Sequence, residues 1–169
     1  KPENVLGLDY KSDGLYTDSN GHTEDIPHFY REAQRKRTKL QRRLSKKHGS
    51  RKGEHKSMNF MKQLRKVNRQ STHIANQRKD YLHKLSTEIA NRYNAVCVED
   101  LDMKAMSNKG FGNGKATMDN GYGMFQNMLS YKLKERGKHL VVVDKWYPSS
   151  QLCHCCGHRQ KMPLKIRVY

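Results

Sequence analysis

Val5-Leu6-Gly7-Leu8-Asp9 and Ala95-Val96-Cys97-Val98-Glu99, the second followed by Asp100, are short apolar runs that each end in a carboxylate. Such runs read as buried strands, because aliphatic and β-branched side chains fill a sheet interior. The closing acid then falls on the rim, where water reaches it. Two rim acids on neighbouring strands can converge and share divalent metal, the arrangement that metal-dependent phosphodiester chemistry uses. The plainer alternative is that Asp9 opens a turn and Glu99 closes a strand.

Outward from these runs, Leu140-Val141-Val142-Val143-Asp144 predicts a third buried strand, continued by Trp146-Tyr147. Residues 13–26 read as a hairpin region, with Asn20-Gly21 as the turn signal. From His28 to about Lys47 the pattern becomes helical, with Leu40 and Leu44 four apart. His48 to Gly53 breaks it, and a second helix runs from about Glu54 to Tyr93. There Met58, Met61, Leu64, Val67, Ile74, Leu82, Leu85 and Ile89 recur at threes, fours and sevens. Residues 107–116 are rich in turn formers. A helix follows from Gly121 to Arg136 with Phe125, Met128, Leu129 and Leu133 on one face, and Gly137 fits its C′ position. Helices alternating with apolar strands imply an α/β sheet with a mixed edge.

The chain of 169 residues suits one domain, or one domain with a small appendage. It holds 34 Lys and Arg against 16 Asp and Glu, a formal charge of +18. Between Arg31 and Arg69 lie 16 Lys and Arg against only Glu32 and Glu54, a local net of +14. Charge concentrated on one helical hairpin predicts a polyanion-binding face rather than general solubility. Arg35, Lys36, Arg37, Arg42, Arg43, Lys46, Lys47, Arg51 and Lys52 are the expected nucleic-acid-binding residues. Phosphate contacts of this kind give affinity without sequence information and weaken steeply with salt. A solvated basic helix would leave the excess unpartnered, and a coiled coil would leave the charge bias unused. No apolar run approaches the ~18 residues that a membrane span needs. Lys1-Pro2-Glu3-Asn4 leads straight into a strand without a secretory h-region.

Cys153-His154-Cys155-Cys156-Gly157 contains Cys153-x-x-Cys156 with a trailing Gly, one knuckle of a zinc ribbon. Cys153 and Cys156 are the expected Zn²⁺ ligands. His154, Cys155 and His158 are possible stand-ins for the absent second pair, and an unmetallated half-knuckle is the alternative. A redox Cys-x-x-Cys would open a helix after a strand, whereas Pro148 and charged residues surround this one. The spacing suits metal better than a disulfide framework and points to a reducing compartment.

Five segments in order resemble the TnpB (OrfB) proteins of insertion sequences, compact RNA-guided DNA nucleases related to type V CRISPR effectors. Gly7-Leu8-Asp9-Tyr10 looks like the first RuvC motif. Ile74 to Ser86 is similar to the helix before the second motif, and Val98-Glu99-Asp100-Leu101 resembles that motif. Gly121-Tyr122-Gly123-Met124-Phe125 with Tyr131-Lys132 looks like the next helix, with Tyr122 where a Trp is common. Ser149 to Gly157 looks like the first zinc knuckle.

The resemblance implies an RNase H-like RuvC domain over 1–148, interrupted by a basic helical hairpin at 28–93, and the first half of a zinc ribbon over 149–169. It implies that Asp9 and Glu99 are two of three acids holding two Mg²⁺ or Mn²⁺ ions, with Asp9 bridging. The third acid would follow a second knuckle beyond Lys165-Ile166-Arg167-Val168-Tyr169. A guide-binding N-terminal half is also absent, so the chain is expected to be an excised or truncated piece. Guide RNA and target DNA are the implied partners, and the prokaryotic cytoplasm, at the nucleoid, the implied location. A relative that binds guide and target without cutting is the alternative, and a basic zinc-ribbon RNA-binding module is a third. Among the other acids, Asp102 is read as a loop residue or helix N-cap, Asp119 as an N-cap for the helix after it and Asp144 as a strand-end acid able to approach the site. Trp146 and Tyr147 are read as core residues in preference to base-stacking ones.

Overall fold

The computed structural model of the chain describes residues 3–108, 114–153, 155–161 and 163. Strand β1 (Val5–Tyr10) is followed by a hairpin, β2 (Tyr16–Asp18) and β3 (Thr23–Glu24). Helices α1 (Phe29–Ser45) and α2 (Met58–Arg92) precede β4 (Ala95–Glu99). Helices α3 (Met103–Met106), α4 (Gly114–Asn120) and α5 (Tyr122–Glu135) lead to β5 (His139–Val143), and a 3₁₀ turn covers Ser149–Gln151. The sheet order is β3-β2-β1-β4-β5. β1 pairs antiparallel with β2 and parallel with β4, and β4 pairs parallel with β5. This is the expected mixed α/β arrangement.

One face of the sheet makes the core. Leu6, Leu8, Val96 and Val98 alternate inward and meet Leu82 and Ile89 of α2 and Phe125, Leu129 and Leu133 of α5. Period-2 strands and period-3.6 helices thus present matched apolar surfaces, which is why α5 and the second half of α2 pack on this side. α5 ends as its Gly predicts. Gly137 takes φ 65°, its N–H donates to Lys134, and Lys138 N–H reaches back to the Leu133 carbonyl at 2.8 Å.

Lys132 joins the two packed helices. It is 3% exposed, and its Nζ donates to the His83 carbonyl (2.6 Å), Ser86 Oγ (2.8 Å) and Thr87 Oγ1 (2.7 Å) of α2. No ion pair to Lys132 occurs among the described residues. A buried ammonium is tolerated because its protons are matched by oxygens. Lys132→Ala strands those acceptors and is expected to destabilise the fold by about 2 kcal/mol, read by urea denaturation. Lys132→Met, which removes the charge but keeps the stem, should lose clearly less.

The hairpin α1–α2 projects from this core. No residue of α1 is fully buried, whereas α2 buries Phe60, Gln63, Val67 and Ile74 along its first half and Leu82, Ile89 and Ala90 in the domain core. The connecting turn is specified by side chains. Ser57 caps α2 through Phe60 N–H (3.1 Å) and donates to the His48 carbonyl (2.9 Å). Glu54 accepts from Gly49 N–H (2.8 Å) and Arg51 N–H, and these bonds hold its carboxyl below the usual pKa. Gly49 sits at φ 95° with a would-be Cβ 2.7 Å from Lys56 Cα, so no other residue fits there without moving backbone.

Several sequence expectations need correction. β5 is an edge strand, not a buried one. Val141 and Val142 are 45% and 56% exposed because only one neighbour, β4, pairs with it. Trp146-Tyr147 does not continue it: Asp144 Oδ1 accepts from Trp146 N–H at 2.7 Å and Tyr147 N–H returns to the Asp144 carbonyl, forming a turn. Helix α4 begins inside the 107–116 stretch expected to be loop, at Gly114, and runs on to Asn120, with Ala116, Thr117, Asp119 and Asn120 buried. Lys109–Asn113 of that loop, His154 and Lys165–Tyr169 lie outside the described residues.

Candidate metal centre and nucleic-acid face

The register Leu8↔Val98 between parallel β1 and β4 puts the next residues, Asp9 and Glu99, level with each other. Alternation turns both to the face opposite the Leu8 and Val98 core. They line an open cleft of about 460 Å³ together with Thr17, Ser19, Cys97, Val143 and Tyr147. Desolvation raises the pKa of Asp9, opposed by a hydrogen bond from the Tyr10 backbone. Glu99 is also raised by desolvation, and the charge of Asp9 adds to it. Two carboxylates that repel each other in a partly desolvated cleft are a donor set suited to a hard divalent cation.

Among the described residues, no third His, Cys, Asp or Glu completes a metal-binding group. Asp18 lines the cleft, but its Oδ1 accepts from Asn20 and His22 N–H, at 2.9 Å each, to hold the β2–β3 turn. Asp144 holds the turn after β5. Asp102 caps α3 through Ala105 N–H at 2.9 Å, as expected. Asp119 does not cap α5. It is 2% exposed and accepts from Tyr30 and Arg31 N–H, closing the start of α1 from across the fold. Arg78 Nη2 pairs with it at 2.9 Å. His28, at the α1 N-cap, makes no side-chain cap, which leaves those donors open to it.

Two further residues support the site. Gln126 Nε2 donates to the Glu99 carbonyl at 3.2 Å, fixing the end of β4. Tyr122 is fully buried against Tyr10, ring centroids 4.8 Å apart, and burial followed by the charges of Asp9 and Glu99 raises its phenol pKa. Gln126 carries no sequence signal, because only tertiary packing brings α5 beneath β4.

The basic face is a groove of about 770 Å³ along α1, lined by Arg31, Gln34, Arg35, Thr38, Lys39, Arg42, Arg43 and Lys46. Their spacing by threes and fours sets them on one side of the helix. Arg35, Arg42, Arg43 and Lys46 are thus gathered as expected, and Arg31 and Lys39 join them. Lys36 is exposed outside the groove, and Arg37 turns away to donate to Tyr30 Oη (2.9 Å) and stack over its ring. Lys47, Arg51 and Lys52 are exposed beside or within the hairpin turn.

The cysteine segment forms a tight loop. Leu152 and Arg159 bridge, Cys153 N–H donates to the His158 carbonyl (2.9 Å) and Gly157 N–H to the Cys153 carbonyl (2.8 Å). Backbone hydrogen bonds from Cys156 and then Cys155 lower the Cys153 thiol pKa, favouring the thiolate that zinc requires. No cysteine is disulfide-bonded.

The described residues thus combine a mixed sheet bearing two level strand-end carboxylates, a basic helical hairpin and a tight cysteine-containing loop. Residues 1–110 match the OrfB_IS605 family, described as "Probable transposase", and the chain belongs to that family. Residues 122–169 match the Cas12f1-like TNB domain. The chain is 37% identical over 166 residues to a Streptomyces pristinaespiralis protein named "Putative RNA-guided DNA endonuclease", covering 98% of this chain and 40% of that one. It is 32% identical to the similarly named InsQ of Escherichia coli K12, covering 93% and 41%. The chain therefore spans about two fifths of these relatives. Its fold is similar to that of Cas12f1 solved with sgRNA and target DNA, TM-score 0.57 at 22% identity over 95% of this chain and 32% of that one. A CRISPR-Cas12f ternary complex gives 0.54 at 20%, covering 94% and 31%. No described helix is long and apolar enough to cross a membrane.

Proposed function

We propose that this chain is the RuvC, RNase H-like catalytic part of an RNA-guided DNA endonuclease, with 1–148 as nuclease domain and 149–169 as part of a zinc ribbon. The observation that carries this reading is the level placement of Asp9 and Glu99 on adjacent parallel strands. Asp9 and Glu99 hold Mg²⁺ or Mn²⁺, and Cys153 and Cys156 contribute to a Zn²⁺ site. When bound, the divalent metal supplies a water of lowered pKa and stabilises charge on the leaving oxygen. The protein's own part is to position: Gln126 holds the Glu99 backbone, and the sheet keeps both carboxylates level. The α1 groove, with its six cations, takes phosphates of guide RNA or target DNA and carries no sequence information. On this reading the protein works in the prokaryotic cytoplasm, at the nucleoid.

A second reading, binding without cutting, is favoured for this chain by itself because no group of three potential metal ligands gathers among the described residues. Mn²⁺ titration followed by electron paramagnetic resonance tests the site directly. Binding lost in Asp9→Asn and in Glu99→Gln is expected; binding unchanged in both moves the metal elsewhere. The groove makes its own prediction. Between 50 and 200 mM salt, affinity for a duplex should fall on the order of 10³-fold if about six phosphates are neutralised. A charge-reversed Arg35→Glu/Arg42→Glu chain should show a visibly flatter slope, and a salt-independent Kd would contradict phosphate binding.

A further inference from the structure

We propose that the Lys145-Trp146-Tyr147 turn is a stacking platform for unpaired bases of a DNA strand entering the acid cleft; this rests on the nuclease reading above. Trp146 is 80% exposed and Tyr147 55%, a large apolar surface to leave in water beside a polar site. Tyr147 is part of the cleft wall that includes Asp9 and Glu99. The turn is held in place: the Asp144 carboxylate accepts from Trp146 N–H, and the Asp144 carbonyl accepts from Tyr147 N–H at 2.9 Å. Lys145 Nζ stands 5.2 Å from the Trp146 ring centroid, so a cation is available for the phosphate next to a stacked base.

The chemistry selects the occupant. Aromatic rings take any base face, so they suit a strand whose sequence is read elsewhere. A duplex hides its base faces, so the platform requires single-stranded substrate. The acids need a backbone phosphate close by, and an aromatic anchor at the cleft wall would hold one strand there while the α1 groove carries the bulk charge attraction. The two surfaces thus divide the work: electrostatic capture on α1, registration of the strand at the cleft.

Trp146 is the only tryptophan in the chain, which makes the test direct. The chain is titrated with a dye-labelled oligothymidylate of ~20 nucleotides, reading tryptophan emission and dye anisotropy together. Saturable quenching of Trp146 that tracks the anisotropy is expected. Tyr147→Ala and Trp146→Ala should each raise the single-strand Kd about tenfold, while Tyr147→Phe and Trp146→Phe stay within about threefold. Duplex affinity should move little in any of the four variants. Anisotropy that rises with flat tryptophan emission overturns the platform but leaves nucleic-acid binding by α1 intact. Flat signals in both overturn the platform and the nucleic-acid reading together. Emission that shifts with protein concentration alone shows the turn covered by a second copy, and also overturns it.

Discussion

Asp9→Ala in an active nuclease containing this chain is expected to lower cleavage by at least ~10³-fold while guide and target binding change by less than about threefold. Removing one of two level carboxylates takes away metal charge neutralisation worth several kcal/mol, and ~4 kcal/mol corresponds to that factor. Binding is expected to be spared because the basic groove on α1 shares no lining residue with the acid cleft. Single-turnover cleavage beside a filter-binding measurement separates the two. Cleavage within tenfold of the parent would remove Asp9 from the chemistry. Metal-free stability supplies a second readout with a definite sign. Burial raises the Asp9 pKa above its unfolded value, so its ionised form is disfavoured by folding. That penalty is present above the folded pKa and disappears below the unfolded one, near 4. Asp9→Asn should therefore melt higher than the parent at pH 7 without metal, with the gain fading as pH falls toward 4. Added Mg²⁺ should narrow the difference by stabilising only the parent.

The second large effect is structural. Asp119→Ala is expected to destabilise the protein by about 3–5 kcal/mol, a fall in Tm on the order of 10 °C. Its carboxylate satisfies Arg78 and two N–H groups at the start of α1, and its loss strands a half-buried guanidinium. Asp119→Asn keeps an acceptor for the helix and should lose roughly half as much. Arg78→Met combined with Asp119→Asn should be milder than the sum of the single changes, because the stranded charge is gone. Hydrogen exchange in the first turn of α1 locates the effect: it should accelerate in Asp119→Ala before global unfolding. Protection unchanged there would mean that α1 holds its start without Asp119.

The sheet and the long helices were legible because their apolar periods are local. Val5 to Leu8 and Ala95 to Val98 have strand composition, and the α2 repeat survives a high density of Lys and Arg. Asp9 and Glu99 were legible for a related reason, since an acid closing an apolar run has few places to go but a sheet rim. What failed depended on neighbours. Val141 and Val142 look buried from composition, but edge position is set by strand order. Asp119 reads as a cap for the helix after it, whereas folding brings α1 to it across a sequence separation of 88. Trp146 and Tyr147 read as core because aromatic residues usually are, and the Asp144 turn holds them in solvent instead. Arg31 and Lys39 join the basic side of α1 only when helix phase is fixed in three dimensions.

Helix α2 has 35 residues without an interior Gly or Pro, so it runs unbroken for about 50 Å. One end closes the hairpin turn, and the other passes within three residues to the strand bearing Glu99. It is a ruler cut in the primary structure. Seven residues inserted near Arg69 would lengthen it by about 10 Å and nearly preserve its facing side, whereas two would rotate the hairpin by more than half a turn. The spacing between the hairpin tip and the acid-bearing strand end is thereby a count of residues, open to redesign one turn at a time.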